Sequence, residues 1–254
     1  MGAEIPRPAG ALPGAPAPWS HLPEADRRGI ALGDVRSALR NRERCRATGL
    51  PADVAPMELP SGGDDRPAAV LCLLFEQGGE ASVVLTRRAA QLRCHAGEVS
   101  FPGGRLRPGE LAREAALREA NEEIGVDSGL VEVVGELSPI STMRSPAVVS
   151  CFVATFPGPG TGGGALRGDP SEVEEVFWAP LARLVAHGVF HEELWPAHRP
   201  GEGGAEGPAY RAVPFFLFDN RTVWGATGRM LTELLSVVMG HRDAGRRAKG
   251  RLVT

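Results

Sequence analysis

The chain has 254 residues, 43% of them hydrophobic, and a formal net charge of −3. That length suits one large domain, or one domain with extensions, and such a composition buries a sizeable core. The near-neutral charge gives no global argument for a nucleic-acid or anionic-membrane partner.

Residues 1–25 include "PRPAGALPGAPAPW", which lacks periodicity and predicts an extended tail that packs no core. No charged start precedes an apolar run there, which predicts a cytoplasmic protein without a signal peptide. "LGDVRSALRNRERC" (residues 32–45) has helical spacing with Asp34 as a cap, and residues 47–67 read as a linker of turn-forming residues. The compact part then begins. "AAVLCLLF" and "ASVVLTRR" (residues 68–75 and 81–88) predict two strands around a Gly-Gly turn. The first is the kind of apolar run the chain offers, and it falls far short of a membrane span. Further strands are predicted over 130–137, 148–156, 172–181 and 210–218, with a short helix after the third and an amphipathic helix over 225–241. Residues 157–171 and the glycine-rich stretch near 200–209 read as flexible loops, and "RDAGRRAKGRLVT" as a solvated basic tail. The expected organisation is an N-terminal tail, short helix and linker (1–66), a compact domain (67–241) and a basic tail (242–254). Strands outnumber helices without strict alternation, which predicts a mixed α/β or α+β sandwich. The four cysteines stand far apart and match no zinc or disulfide framework.

From Leu111 no Gly or Pro interrupts the chain until Gly125, and alanine and leucine dominate, which predicts a helix stopped by Gly125. At about 100° per residue, Glu119, Glu122 and Glu123 share one face with Ala112 and Ala115, while Ala116, Leu117, Ala120 and Ile124 form an apolar one. Like charges at these spacings repel. A solvated acidic face would tolerate that repulsion, and a bound divalent cation would relieve it, since Mg²⁺ and Mn²⁺ favour hard oxygen ligands on a rigid element.

The residues before the helix favour the cation. Gly104, Glu110, Arg118, Glu119, Ala120, Glu122, Glu123, Gly125 and Val126 together resemble the Nudix box, G-x5-E-x7-R-E-U-x-E-E-x-G-U, with U aliphatic. Ala120 departs mildly from the pattern, a small residue where a bulkier aliphatic one is usual. The resemblance implies an α/β/α sandwich around a mixed sheet and a metal-dependent hydrolase of nucleoside diphosphates linked to another moiety. It implies that Glu119, Glu122 and Glu123 hold Mg²⁺ or Mn²⁺, that Arg118 orients a glutamate, and that Glu110 supports the site. Gly103 and Gly104 would let the turn approach the phosphates.

Upstream, Leu85, Thr86, Arg88, Ala89, Arg93, Gly97, Phe101, Pro102, Gly103 and Gly104 resemble the signature of the coenzyme A pyrophosphatase branch of that family. Its substrate carries a 3′-phosphate besides the pyrophosphate, and extra arginines suit an extra dianion. Arg88 and Arg93 are the substrate-binding candidates, with Arg87 adjacent; bracing of the loop is the alternative for the pair. His95 reads as a structural, hydrogen-bonding residue, and Glu172, Glu174 and Glu175 are candidates for one additional catalytic carboxylate. The expected products are 3′,5′-ADP and 4′-phosphopantetheine or its acyl form. Other nucleoside diphosphate derivatives (ADP-ribose, NADH, a nucleoside triphosphate) and a silent nucleotide-binding module are the alternatives. The expected partner is a small molecule, coenzyme A or a derivative, with neither nucleic acid nor membrane; a homodimer is one option for an oligomeric state the sequence leaves open.

Overall fold

A computed structural model describes residues 5, 7–47, 67–92, 94–141, 148–196 and 210–251. The linker over 48–66, the glycine-rich stretch after 196 and Arg93 lie outside the described residues.

In chain order the elements are β1 (Leu12–Pro13), α1 (Leu32–Ala47), β2 (Ala68–Gln77), β3 (Glu80–Arg88), β4 (Val99–Ser100), β5 (Gly103–Arg105), α2 (Ala112–Ile124), β6 (Glu132–Glu136), β7 (Ile140–Ser141), β8 (Val148–Thr155), β9 (Val173–Pro180), α3 (Leu181–Leu184), β10 (Phe190–Pro196), β11 (Tyr210–Phe218), β12 (Arg221–Val223) and α4 (Gly225–Arg251), with short 3₁₀ turns at Glu24–Arg27 and Ser128–Leu130. Among the described residues the main sheet has eight strands, with path β4-β3-β2-β8-β6; β5 adds to β2, β7 to β8 and β9 to β3. Its β2–β8 pair is parallel and its other pairs are antiparallel. The sheet is therefore mixed, in a mixed α/β fold.

β2 reads as a continuous apolar run because both of its faces are covered. Ala69, Leu71, Leu73 and Phe75 pack with Ala115, Ala116, Ala120 and Ile124 of α2. Cys72 and Leu74 face the opposite way, toward Leu39 of α1 and Leu231, Leu234 and Leu235 of α4. Helices thus lie on both sides, giving the expected α/β/α sandwich. A second, smaller sheet of order β1-β10-β11-β12 packs Phe216, Phe218 and Val223 into the α1/α4 side of the core.

Several expectations give way here. The first 25 residues do pack a core: Trp19 is 1% exposed, with its ring 5.4 Å from that of Phe190 and 6.3 Å from that of Phe216. Leu22 and Ile30 are also buried, and β1 pairs with β10. Isolated anchors of this kind have no repeat for a periodicity argument to detect. β10 itself is unexpected, because Glu192 and Glu193 interrupt its apolar residues. The basic C-terminal segment continues α4 through Arg251, helical where the sequence predicts a tail, though residues 244–247 are exposed as a solvated end would be. Arg242 donates to Asp34 Oδ2 at 3.0 Å and to the carbonyls of Arg28 and Gly29, and Arg246 pairs with Asp26, so this part of the helix clamps the N-terminal segment. The loop over 157–171 is tied down as well: Arg167 N–H donates to Ile124 O at 3.0 Å and Asp169 N–H to Glu123 O at 2.9 Å.

Candidate active site

The site is built on a strand, a turn and a helix. β5 lies antiparallel on β2, with Gly103 opposite Val70 and Gly104 opposite Ala69. The turn that follows is closed by Arg107 N–H donating to Glu110 Oε2 at 2.8 Å and by Glu110 N–H donating to Arg107 O at 3.0 Å. α2 then starts, with Glu114 Oε2 accepting from Leu111 N–H at 3.2 Å. It stops where the sequence predicts: Gly125 is left-handed at φ 67°, and its N–H donates to Asn121 O at 2.9 Å.

Arg118 is the hub. Its guanidinium grips both oxygens of Glu110, Nε to Oε1 at 2.7 Å and Nη2 to Oε2 at 2.9 Å. Nη1 donates to Glu119 Oε1 at 2.7 Å and Glu122 Oε2 at 2.9 Å, and Nη2 to Arg105 O at 3.2 Å. Forked pairing of this kind fixes orientation as well as charge. The Arg118 hydrogen bonds hold the Glu110 carboxyl down at about 2, with the Arg107 N–H adding to the fall. In turn, Glu110 raises the Arg118 pKa, and Glu119 and Glu122 reinforce it against desolvation. Glu110 thus holds the residue that holds the cluster.

Glu123 is different. Counting from the neighbouring glutamates puts it on the carboxylate face, yet it is 3% exposed, buried with Ala120 and Ile124. Its Oε2 accepts from Gly103 N–H at 3.0 Å, and Arg88 Nη1 lies 3.6 Å from Oε1. Burial pushes its carboxyl up to about 7; the Gly103 N–H and Arg88 oppose the shift, and the charges of Glu172 and Glu119 add to it. The structure also gives the two glycines close protein neighbours. A Cβ on Gly104 would sit 2.5 Å from the Glu119 carboxylate, and one on Gly103 would sit 2.4 Å from Ala69 O.

Of the upstream arginines, Arg88 faces Glu123. Arg87, one residue earlier in β3, faces the other side and pairs with Glu175 at 3.1 Å and Glu174 at 3.4 Å. Glu175 also takes Arg221, whose guanidinium lies 4.4 Å from the Phe177 ring centroid. Among the three late carboxylates, Glu174 and Glu175 are therefore engaged away from α2, and Glu172 is the one whose charge is felt at Glu123. His95 Nδ1 lies 2.8 Å from Glu98 Oε2, in keeping with a hydrogen-bonding role in the β3–β4 turn. Arg107 was not among the sequence candidates, although its Nη2 donates to Glu122 Oε1 at 2.9 Å. It stands in the five-residue interval where the box specifies nothing, so no motif singles it out.

Among the described residues, no three His, Cys, Asp or Glu side chains converge as a ready metal cage. The reason lies in the contacts above: Glu119 and Glu122 turn oxygens to Arg118 and Arg107. The donor set nevertheless fits a hard divalent cation, with three carboxylates on one rigid helix and a missing Cβ at Gly104 that leaves Glu119 its space.

The Nudix-domain family model matches residues 65–200. Nudix hydrolase 3 of Caenorhabditis elegans is 31% identical over 193 residues, 74% of this chain and 80% of that protein. A protein of Photorhabdus laumondii named uncharacterized Nudix hydrolase NudL is 32% identical over 176 residues, 69% of this chain and 86% of the relative. Among solved structures, a MutT/nudix family protein from Enterococcus faecalis aligns with a TM-score of 0.41 at 16% identity, covering 81% of this chain and 72% of that one. An Ap4A hydrolase of C. elegans aligns with a TM-score of 0.36 at 21% identity, covering 44% and 79%. No helix among the described residues is long and apolar enough to cross a membrane. On the family-model match and the curated relatives, the chain belongs to the Nudix hydrolase family.

Proposed function

We propose that this chain hydrolyses the pyrophosphate bond of coenzyme A, or of an acyl or oxidised derivative, with Mg²⁺ or Mn²⁺, to 3′,5′-ADP and 4′-phosphopantetheine or its acyl form. The observation that carries the reading is the signature ahead of the box, Leu85 to Gly104, whose Arg88 lies 3.6 Å from the Glu123 carboxylate. In this reading Glu119, Glu122 and Glu123 hold the metal. When bound, a divalent cation offsets the charge of the diphosphate and makes water a better nucleophile. Arg118, itself anchored by Glu110, keeps Glu119 and Glu122 on one stripe of α2. Gly103 N–H orients Glu123. Arg88 and Arg93 bind substrate phosphates, and Gly103 and Gly104 let the turn come close to them. Glu172 is the favoured supplementary carboxylate, as base or ligand.

Product analysis with coenzyme A and dephospho-coenzyme A tests the reading. If arginines recognise the 3′-phosphate by charge-assisted bonds, kcat/KM falls by roughly tenfold for the dephospho form. The R88A variant narrows that gap. A higher kcat/KM for ADP-ribose, NADH or a nucleoside triphosphate would remove the branch assignment and leave the family standing.

A further inference from the structure

Arg107 is held at its backbone by the closed turn between β5 and α2, while its side chain is 62% exposed. Its guanidinium donates to Glu122 Oε1 at 2.9 Å. The other oxygen of Glu122 accepts from Arg118 at 2.9 Å, so both oxygens of this carboxylate are engaged by arginines. The two arginines are not equivalent. Arg118 is 17% exposed and fastened by both Glu110 oxygens, by Glu119 and by Arg105 O. Arg107 reaches Glu122 from solvent, and that carboxylate is itself 48% exposed. An exposed pair of this kind is weak and screened by salt. A group that needs the Glu122 oxygens therefore displaces Arg107 and leaves Arg118 in place.

We propose that Arg107 is an exchangeable counter-ion that competes with the divalent cation for Glu122 and so sets how tightly the substrate-free protein takes up the ion. This rests on the reading of Glu122 as a metal ligand. It also accounts for the lack of a converged carboxylate set among the described residues, since Arg107 and Arg118 pull on opposite oxygens of Glu122.

The test is a titration of metal-stripped protein with Mn²⁺ in the absence of nucleotide, with free Mn²⁺ followed by electron paramagnetic resonance. R107Q is expected to bind Mn²⁺ about two- to fivefold more tightly than the unmodified chain, the scale of one exposed ion pair. Raising the salt concentration is expected to shrink that difference. R113Q is the control: it removes one positive charge about 180° around α2 from Glu122, and is expected to leave the affinity unchanged. Equal or weaker Mn²⁺ binding by R107Q overturns the proposal, as does an equal gain in R113Q, which would reflect net charge alone. If the unmodified chain binds no Mn²⁺ saturably, the metal reading falls together with the proposal. If it binds Mn²⁺ and R107Q does not differ, the role of Arg107 falls alone.

Discussion

Replacing Glu123 by Gln is expected to lower kcat by at least ~10²-fold and, in metal-stripped protein, to raise stability above pH 7. The two effects share one cause. A carboxylate with 3% exposure keeps its charge poorly, and burial pushes its pKa from 4.5 to about 7. Below pH 4.5 the group is protonated in both the folded and the unfolded chain, and it makes no pH-dependent contribution. Between 4.5 and 7 the unfolded chain releases a proton that the folded chain keeps, so the native state loses stability as pH rises, by about 1.4 kcal/mol per unit. The full loss, on the order of 3 kcal/mol, is in place above pH 7. Gln keeps an oxygen for the Gly103 N–H and carries no charge, so E123Q escapes that loss. Thermal unfolding in chelator at pH 4 and pH 8 reads the effect: the offset between the two proteins at pH 4 should grow toward pH 8 in favour of E123Q. Mg²⁺ should then raise the Tm of the unmodified chain more than that of E123Q. If Glu123 is a metal ligand as proposed, turnover falls because the cation it would hold supplies several kcal/mol of charge stabilisation in the transition state, at a factor of ten per ~1.4 kcal/mol. An offset that stays constant with pH would show that Glu123 does not bear this desolvation.

Much of that helix was legible in the sequence, and the limits of legibility have identifiable causes. Alanine-rich propensity and Gly125 define α2, because both act locally. The angular count gives the direction of a side chain but not the depth of what covers it. Ala115 and Glu123 share the angular sector of Glu119, yet β2 and β5 pack over them and leave Glu119 and Glu122 at the rim. Strand parity is equally exposed to tertiary detail. Counted along a regular strand, Glu172 and Glu174 share a face, but β9 begins at Val173 and its pairing with β3 shifts register between Arg87 and Arg88. That shift helps to leave Glu172 near Glu123 while Glu174 and Glu175 serve Arg87. Trp19 marks the other limit: its partners Phe190 and Phe216 come from far along the chain.

The adjacent glycines at the head of the box should separate fold from chemistry. G103A is expected to destabilise the protein by about 1–3 kcal/mol, the usual range for overpacking. Gly103 has φ 154°, and a Cβ there would meet Ala69 O at 2.4 Å and Val70 Cα at 2.5 Å. Both atoms are backbone in β2, where Ala69 and Val70 are paired with Ser150 and Cys151 of β8, so neither moves aside easily. Gly104 meets a different neighbour. A Cβ there would lie 2.5 Å from the Glu119 carboxylate, the far end of a flexible side chain that gives way by changing rotamer. G104A should therefore keep its denaturation midpoint close to that of the unmodified chain while displacing Glu119 from Arg118, 2.7 Å away, with kcat falling by about tenfold or more. Urea unfolding and Mg²⁺-supported turnover of the two variants, measured side by side, decide the matter. If G104A lost as much stability as G103A, or kept full turnover, the placing of Glu119 would not depend on the missing methyl group.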